Sequence, residues 1–280
     1  MKAITQKTIA REGKISGVGL HTGEPSTLIL RPAPADTGLR FLRDGRPAGR
    51  FSDEKESGLS QDSLRCSSVG AGENRILTVE HLLAALRGLG ITNLAMDVQG
   101  PEVPGLDGSA LPFVLWLKEL GVVDQGKTLD FYRISEPIFC YDKAKAIAIY
   151  PADSFRVSYR LDYEHPYLRD QKVDFELTPE AFEKEIAPAR TFCTDREARE
   201  LQKSGLGLGA HAENTLVVAE DGSHVAGLRF ENEPARHKVL DILGDLNLLD
   251  FPVIGHVVAV RSGHALNRRM AQAITDQRNR

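Results

Sequence analysis

Three polar side chains recur at one-turn intervals in an otherwise apolar stretch near the C-terminal end of the chain. His237, Asp241 and Asp245 stand at positions i, i+4 and i+8 of residues 235–249. On a helix these positions fall within one stripe, because each residue turns by about 100°. An imidazole and a carboxylate one turn apart can share a metal ion, and this donor pair suits Zn²⁺. An exposed His–Asp pair on a helix surface has the same spacing, so a third ligand must decide.

The third candidate ligand is His81, in the segment 78–90. Its apolar residues have helical spacing, which predicts a helix with Thr78 as its N-cap and Gly90 at its C-terminal end. Three protein ligands with one open position are typical of catalytic zinc. Glu80 diverges from His81 by about 100° on the helix, so it would lie beside the metal as a general base for water. The alternative is a glutamate that only favours the helix N-terminus, next to a half-buried histidine.

A proton donor is predicted at His264, in the Gly-containing segment 261–267 after the last strand. We expect a loop there, from which the imidazole can turn towards a cleft. Asp245 could hydrogen-bond this histidine and raise its pKa, as a general acid for an amine leaving group requires. A solvated loop histidine and a helix-surface carboxylate would give the same sequence.

The elements that must hold these residues follow the same order in each half of the chain. Each half has strands first, then a histidine-bearing helix that leads into a buried strand, which indicates an α+β fold of two similar domains. The predicted strands and helices are a hairpin at 15–32, a helix at 78–90, strands at 91–98, 145–150 and 154–162, a helix at 235–249 and a strand at 253–260. We place the boundary in the polar break 122–128, which gives domains 1–126 and 127–280.

Residues 192–210 predict a polar helix ended by Gly205, followed by a Gly-rich turn and a short apolar strand. A dinucleotide fingerprint needs glycines that follow a strand and open a helix. Here they follow a helix and lead into a strand, so NAD binding is rejected.

Charge and composition exclude several classes of partner. The 35 Lys and Arg against 39 Asp and Glu give a net charge of −4 without a basic block, so we expect no nucleic-acid partner. The sequence offers neither a signal-peptide pattern nor an apolar stretch long enough to span a bilayer, so we expect a cytoplasmic protein without an integral membrane segment. The 3 cysteines, Cys66, Cys140 and Cys193, show no paired spacing and are expected to be buried free thiols.

Taken together, the ordered motifs of the chain resemble the UDP-3-O-acyl-N-acetylglucosamine deacetylases, the zinc enzymes of lipid A synthesis in Gram-negative bacteria. The motifs are SGVGLHTGE (16–24), LRPAPADTG (30–38), LTVEHLLAAL (77–86), PEVPGLDGSALPFV (101–114), ARTF (189–192), RHKVLDILGDL (236–246) and SGHALN (262–267). The likeness covers nearly the whole chain. It implies two βααβ-type domains whose helices are sandwiched between two sheets.

The resemblance assigns the residues singled out above to a single reaction, the zinc-dependent hydrolysis of the N-acetyl group of a UDP-linked, 3-O-acylated glucosamine. It implies His81, His237 and Asp241 as ligands of one Zn²⁺, for which Fe²⁺ could substitute. Glu80 would be the general base, and His264 the general acid with Asp245 as its partner.

The resemblance also implies roles that the residues alone did not suggest. Thr191 would hydrogen-bond the developing oxyanion, Phe192 would pack against the sugar, and Lys238 would contact the substrate near the glucosamine. Arg261 would place a cation near the diphosphate, and Tyr163 would stack on uracil. An insert at about 193–218 would form an apolar passage for the acyl chain.

The sequence is also compatible with two other functions. A metal hydrolase acting on another acylated amine would share every catalytic residue. A non-catalytic module that binds a nucleotide sugar or an acyl chain would have lost Glu80 or a metal ligand, whereas both are present. The chain is expected to act as a monomer.

Overall fold

A computed structural model of the protein describes residues 4–49, 65–222 and 227–280. The strands and helices of its first half, in chain order, are β1 (Thr5–Ile9), β2 (Gly13–Val18), β3 (Pro25–Pro32), β4 (Leu39–Arg43), β5 (Arg46–Pro47), β6 (Ser68–Val69), β7 (Ile76–Leu77), α1 (Glu80–Leu89), β8 (Leu94–Gln99), α2 (Leu111–Leu120) and β9 (Val122–Thr128).

The second half, in chain order, contains β10 (Tyr132–Arg133), β11 (Ile138–Asp142), β12 (Lys145–Tyr150), β13 (Arg156–Leu161), β14 (Gln171–Glu176), α3 (Pro179–Ala181), β15 (Phe192–Thr194), α4 (Asp195–Lys203), β16 (Leu216–Val218), α5 (Glu233–Leu246), β17 (Val253–Ile254), β18 (His256–Val260) and α6 (His264–Arg278). A π-helical turn, Phe182–Ile186, continues α3.

Two five-stranded mixed sheets follow the same plan. One has the order β2-β3-β8-β4-β5 and the other β11-β12-β18-β13-β14. The strand that comes after the long helix lies in the middle of each sheet and has one parallel neighbour, β4 beside β8 and β13 beside β18. Because β3 and β13 bury alternate residues, each sheet presents one apolar face to the interior. The predicted α+β fold, with helices packed between two sheets, is confirmed.

The helices α1 and α5 pack against each other at the centre of the molecule. Gly244 on α5 allows this close approach, since a Cβ built there would lie 2.2 Å from the carbonyl oxygen of Glu80. The core residues on the two helices belong to one continuous hydrophobic cluster that also includes residues of both sheets. The crossing of α1 and α5 therefore brings the chemistry-bearing residues of the two halves together.

Several predicted elements are confirmed with shifted ends. The hairpin consists of β2 and β3, and α1 ends at Gly90, which has the left-handed φ of 71°. The helix predicted at 235–249 begins and ends slightly earlier, as α5, and the strand predicted at 253–260 is divided at Gly255. In the described ranges no helix is both long and apolar enough to cross a bilayer.

Other expectations about local structure were wrong. Thr78 does not cap α1, because its hydroxyl donates to Glu102 Oε1 at 2.6 Å and its φ is 56°. Residues 122–128 form β9, paired with β1, and are not a polar break; the division into domains 1–126 and 127–280 remains a prediction. All three cysteines are free thiols, but Cys140 is only half-buried.

Candidate active site

Three of the predicted residues form a potential metal-binding group, which we call the ligand cluster: His81, His237 and Asp241. One potential ligand atom from each lies within 4.8 Å of the other two. His81 belongs to the first turn of α1, whereas His237 and Asp241 lie one turn apart on α5. The side chains of His237 and Asp241 are only 2% exposed, which rules out the surface His–Asp pair.

Hydrogen bonding determines which atoms of the ligand cluster are free to bind a metal. A carbonyl oxygen can only accept, so His237 Nδ1–H donates to the oxygen of Ala189 at 3.0 Å. His237 Nε2 then carries a lone pair, and it lies 3.3 Å from Asp241 Oδ1. That buried carboxylate oxygen has no hydrogen-bond partner among the described residues. With a neutral imidazole these two facing lone pairs repel each other, and a cation between them would relieve the repulsion. The His₂Asp donors fit a divalent metal such as zinc.

The pKa values of the ligand cluster favour its metal-binding forms. Burial, assisted by the nearby His237, lowers the pKa of His81 to about 3, so its imidazole is neutral at pH 7. Burial also lowers the pKa of His237. Burial alone would raise the pKa of Asp241, but the neighbouring Lys238 ammonium and His237 hold it well below its ordinary value. Lys238 Nζ donates to Asp241 Oδ2 at 2.7 Å, so Oδ1 is the oxygen left for a ligand.

A second group, which we call the proton cluster, lies directly beside the first and consists of Glu80, Asp245 and His264. His264 Nδ1–H donates to Asp245 Oδ2 at 2.9 Å. The other ring nitrogen, Nε2, lies 3.8 Å from Glu80 Oε1 and 3.8 Å from Asp241 Oδ2. The imidazole therefore faces both the predicted base and the ligand cluster.

Burial and charge give the two titrating members of the proton cluster unusual pKa values. Burial raises the pKa of Glu80 to about 8, against the opposing effect of His264. Burial alone would lower the pKa of His264, but the Asp245 and Asp241 carboxylates raise it to about 9. The cluster thus holds a carboxyl group of raised basicity beside an imidazole that keeps its proton at neutral pH.

His264 is not on a loop, as the sequence suggested, but is the first residue of α6. The positive end of a helix disfavours a protonated imidazole. The pKa is nevertheless raised, because the carboxylates of Asp245 and Asp241 are close to the ring.

Of the remaining predicted site residues, Phe192 and Lys238 lie next to the ligand cluster. The ring centroid of Phe192 lies 6.5 Å from that of His237, and Lys238 Nζ lies 5.5 Å from the Phe192 ring. Thr191 immediately precedes β15, and its backbone N–H donates to the oxygen of Gly108 at 2.9 Å. The guanidinium carbon of Arg261 lies 6.0 Å from the ring centroid of Tyr163.

The predicted insert is a compact β-α-β unit. The strands β15 and β16 pair in parallel, and α4 connects them. The helix begins with a capping box, in which Thr194 and Glu197 satisfy each other's backbone N–H. A cleft of about 430 Å³ lies between the α4–β16 connection and the first half of the chain. Its apolar lining includes Val18, Leu106 and Leu208.

Two features of the site gave no separate signal in the sequence. Glu102 is fully buried and accepts hydrogen bonds from the backbone N–H groups of His21 and Thr22, each at 2.9 Å. It thereby fixes the turn that carries the buried His21 side chain, whose Nδ1 has no partner in the described ranges. Ser67, also fully buried, hydrogen-bonds both Glu80 and Asp245. Pairings so distant in sequence leave no periodic pattern.

Comparison with known proteins shows that the chain is similar to members of one family. The family model described as UDP-3-O-acyl N-acetylglycosamine deacetylase matches residues 6–276. The chain is 42% identical over 273 residues to the UDP-3-O-acyl-N-acetylglucosamine deacetylase of Anaeromyxobacter sp. (strain Fw109-5), covering 96% of this chain and 88% of that protein. It is 41% identical over 273 residues to the protein of the same name from Syntrophotalea carbinolica, covering 97% and 88%. For that of Myxococcus xanthus the identity is 39% over 272 residues, covering 96% and 86%.

Proposed function

Because the chain belongs to the UDP-3-O-acyl-N-acetylglucosamine deacetylase family, we propose that it hydrolyses the N-acetyl group of UDP-3-O-(3-hydroxyacyl)-N-acetylglucosamine. The products are acetate and the free 2-amino sugar nucleotide, in the committed step of lipid A biosynthesis. One observation carries this proposal: a buried base and a buried protonated imidazole lie beside a His₂Asp cluster, with His264 Nε2 3.8 Å from both Glu80 and Asp241. Amide hydrolysis needs both proton-transfer groups next to an electrophilic centre.

We propose that His81, His237 and Asp241 hold one Zn²⁺. Asp241 Oδ1, which has no hydrogen-bond partner in the part of the chain that the structure describes, faces the His237 Nε2 lone pair and supports this assignment. When bound, zinc lowers the pKa of water and polarises the amide carbonyl. Fe²⁺ suits the same donors and is the alternative occupant.

The proton transfers follow from the proton cluster. Glu80 accepts a proton from the attacking water, whose oxygen forms a bond to the acetyl carbonyl carbon. The Thr191 hydroxyl donates to the oxyanion that develops. His264 gives its Nε2 proton to the amide nitrogen as the C–N bond breaks, so the sugar leaves as a neutral amine. Asp245 keeps the imidazole oriented through its bond to Nδ1.

The groups around the clusters support a substrate orientation. Phe192 and Lys238 lie next to the ligand cluster, where the glucosamine ring would be. Arg261 and Tyr163 are adjacent to each other, as a cation for the diphosphate and a ring for the uracil of one ligand must be. The apolar cleft beside residues 193–218 supports a role of this insert in holding the acyl chain.

We propose that the enzyme acts as a single chain in the cytoplasm. Every residue of the ligand and proton clusters comes from the same polypeptide, so no second copy is needed to form the site. A metal hydrolase of a different acylated amine would use the same two clusters, and the choice of substrate in the assay separates the two functions.

The test is acetate release from UDP-3-O-(3-hydroxyacyl)-N-acetylglucosamine by purified protein, metal-stripped protein and stripped protein restored with zinc. We expect release to disappear on stripping and to return with zinc. In Glu80→Ala, kcat should fall by about 10²–10⁴-fold with the zinc content unchanged, because the general base is removed and the ligands are kept. Glu73→Ala, which removes an exposed glutamate from the same half, is the matched control. Absence of release by the zinc-loaded wild type would contradict the proposed function.

A further inference from the structure

Ser67 connects the two carboxylates of the proton cluster, although it belongs to neither of the helices that carry them. Its backbone N–H donates to Glu80 Oε2 at 3.1 Å, and its hydroxyl donates to Asp245 Oδ1 at 2.5 Å. Its carbonyl oxygen accepts from the backbone N–H of Val79 at 3.2 Å. Three bonds from one residue therefore link the start of α1 to the last turn of α5.

The bond to Glu80 determines which carboxylate oxygen is available for chemistry. Ser67 occupies Oε2, whereas Oε1 is the oxygen that lies 3.8 Å from His264 Nε2. With one oxygen anchored to a backbone group, the carboxylate cannot rotate freely about its terminal torsion. The free oxygen is thus held towards the imidazole and the ligand cluster.

The bond to Asp245 completes the coordination of that carboxylate. Asp245 Oδ2 accepts from His264 Nδ1 at 2.9 Å and from Asn267 Nδ2 at 2.8 Å, so the Ser67 hydroxyl serves the remaining oxygen, Oδ1. Asp245 is fully buried. Without this donor, Oδ1 would retain only the longer contact to His264 Nδ1, at 3.2 Å. A buried carboxylate oxygen that lacks donors is costly and tends to reorient.

We propose that Ser67 is a positioning residue of the reaction, fixing the distance and orientation of the base Glu80 relative to the acid pair His264–Asp245. This inference rests on the proposed deacetylation. Ser67 is fully buried, so it acts through these two carboxylates and not by contact with the substrate. It sets catalytic alignment while leaving substrate affinity and the metal ligands unaffected.

The experiment compares kcat and KM for acetate release by zinc-loaded wild type, Ser67→Ala and Ser67→Thr. Ser67→Ala removes only the hydroxyl bond to Asp245 and should lower kcat by up to about tenfold, the low end of the range typical when a group that orients a catalytic residue is removed, with KM unchanged. Ser67→Thr keeps the hydroxyl and should restore most of kcat. Zinc content and the thermal unfolding midpoint are measured for each variant. Ser26→Ala is the matched control: it removes a buried hydroxyl that donates to the Glu102 carbonyl and should keep the wild-type kcat.

A double variant separates positioning from a general structural effect. If Ser67 acts through Asp245, Ser67→Ala should lower kcat much less in an Asp245→Asn background than in the wild type. The inference would be overturned if the kcat loss of the double variant equalled the product of the two single losses. It would also be overturned if Ser67→Ala kept the wild-type kcat, or if Ser67→Thr were as slow as Ser67→Ala. If the wild type itself releases no acetate, the proposed function fails, and this inference fails with it.

Discussion

The ligand cluster and the proton cluster are neighbours that share helices α1 and α5, with His264 of α6 added to the proton cluster, yet they hold charge in opposite ways. In the ligand cluster, His237 Nε2 and Asp241 Oδ1 face each other at 3.3 Å with lone pairs only, and the pKa of His81 is lowered to about 3. In the proton cluster, the imidazole of His264 lies among carboxylates, and its pKa is raised to about 9. One group is arranged to accept a cation from outside, whereas the other carries its own proton.

The difference in charge between the two clusters comes from the side chains at neighbouring positions of α1 and α5. Each helix contributes to both clusters, α1 through the adjacent Glu80 and His81, and α5 through Asp241 and Asp245 one turn apart. Burial disfavours charge at every one of these positions. The hydrogen-bond partners then decide which group stays neutral and which stays charged.

The largest expected effect comes from breaking the ligand cluster alone. His81→Ala removes one of three proposed zinc ligands and leaves Glu80, Asp245 and His264 in place. We expect loss of bound zinc and a fall in kcat of about 10³-fold or more, because the electrophilic centre is lost. Metal analysis and acetate release check both effects. A variant that retains one zinc per chain and wild-type turnover would show that His81 is not a ligand.

A smaller effect is expected from separating α1 from α5. In Gly244→Ala the new Cβ would lie 2.2 Å from the Glu80 carbonyl oxygen, so α1 must shift and carry Glu80 with it. We expect a stability loss of about 1–3 kcal/mol from overpacking and a fall in kcat of about 10²-fold from the misplaced base.

Gly88→Ala is the matched control for this variant, since it also crowds α1, but against the ring of Phe182 at 2.0 Å and away from the clusters. It should lower the unfolding midpoint and leave the kcat of the folded protein unchanged. Equal kcat losses in the two variants would argue against a specific role of the α1–α5 contact.

The ligand cluster could be predicted from the sequence because helical spacing puts two of its residues on one stripe and the third lies on the corresponding helix of the other half. His237 and Asp241 lie one turn apart, and His81 occupies the corresponding helix of the other half. The α+β fold followed for the same reason, since each helix and the strand after it have clear apolar patterns. The C-terminal helix also left such a signal, since Leu266, Met270 and Ile274 recur at helical spacing and are buried on α6.

The contacts that align the proton cluster could not be predicted in this way. Ser67 and Asp245 are 178 residues apart, and their hydrogen bond depends on how the segment before β6 packs against α5. Thr78 was predicted as a cap because threonine is common there, but a buried carboxylate, Glu102, competes for its hydroxyl. In the sequence, Gly244 has only the features of a glycine that weakens a helix. Its role depends on the backbone of Glu80, which packs against it in the folded protein.

The smallest expected effect concerns the charge of the proton cluster. Asp245 is the strongest of the charges that raise the pKa of His264 to about 9, so Asp245→Asn should return that pKa towards its ordinary value. His264 must be protonated to act as the acid, so activity is lost as pH rises through its pKa. The alkaline limb of the kcat profile should therefore move to lower pH, by roughly 1–3 units. At neutral pH the loss should be about tenfold, in the range seen when the orienting partner of a functional histidine is removed.

The matched comparison for Asp245→Asn is Asp245→Glu, which keeps the negative charge but lengthens the side chain. If the negative charge at position 245 determines the pH of the alkaline limb, Asp245→Glu should lower kcat because His264 is misplaced. The alkaline limb of its kcat profile should nevertheless stay close to that of the wild type. An alkaline limb that does not move in Asp245→Asn would assign it to a group other than His264. The contrast between a cluster arranged to accept a cation and a cluster that holds a proton would then no longer apply.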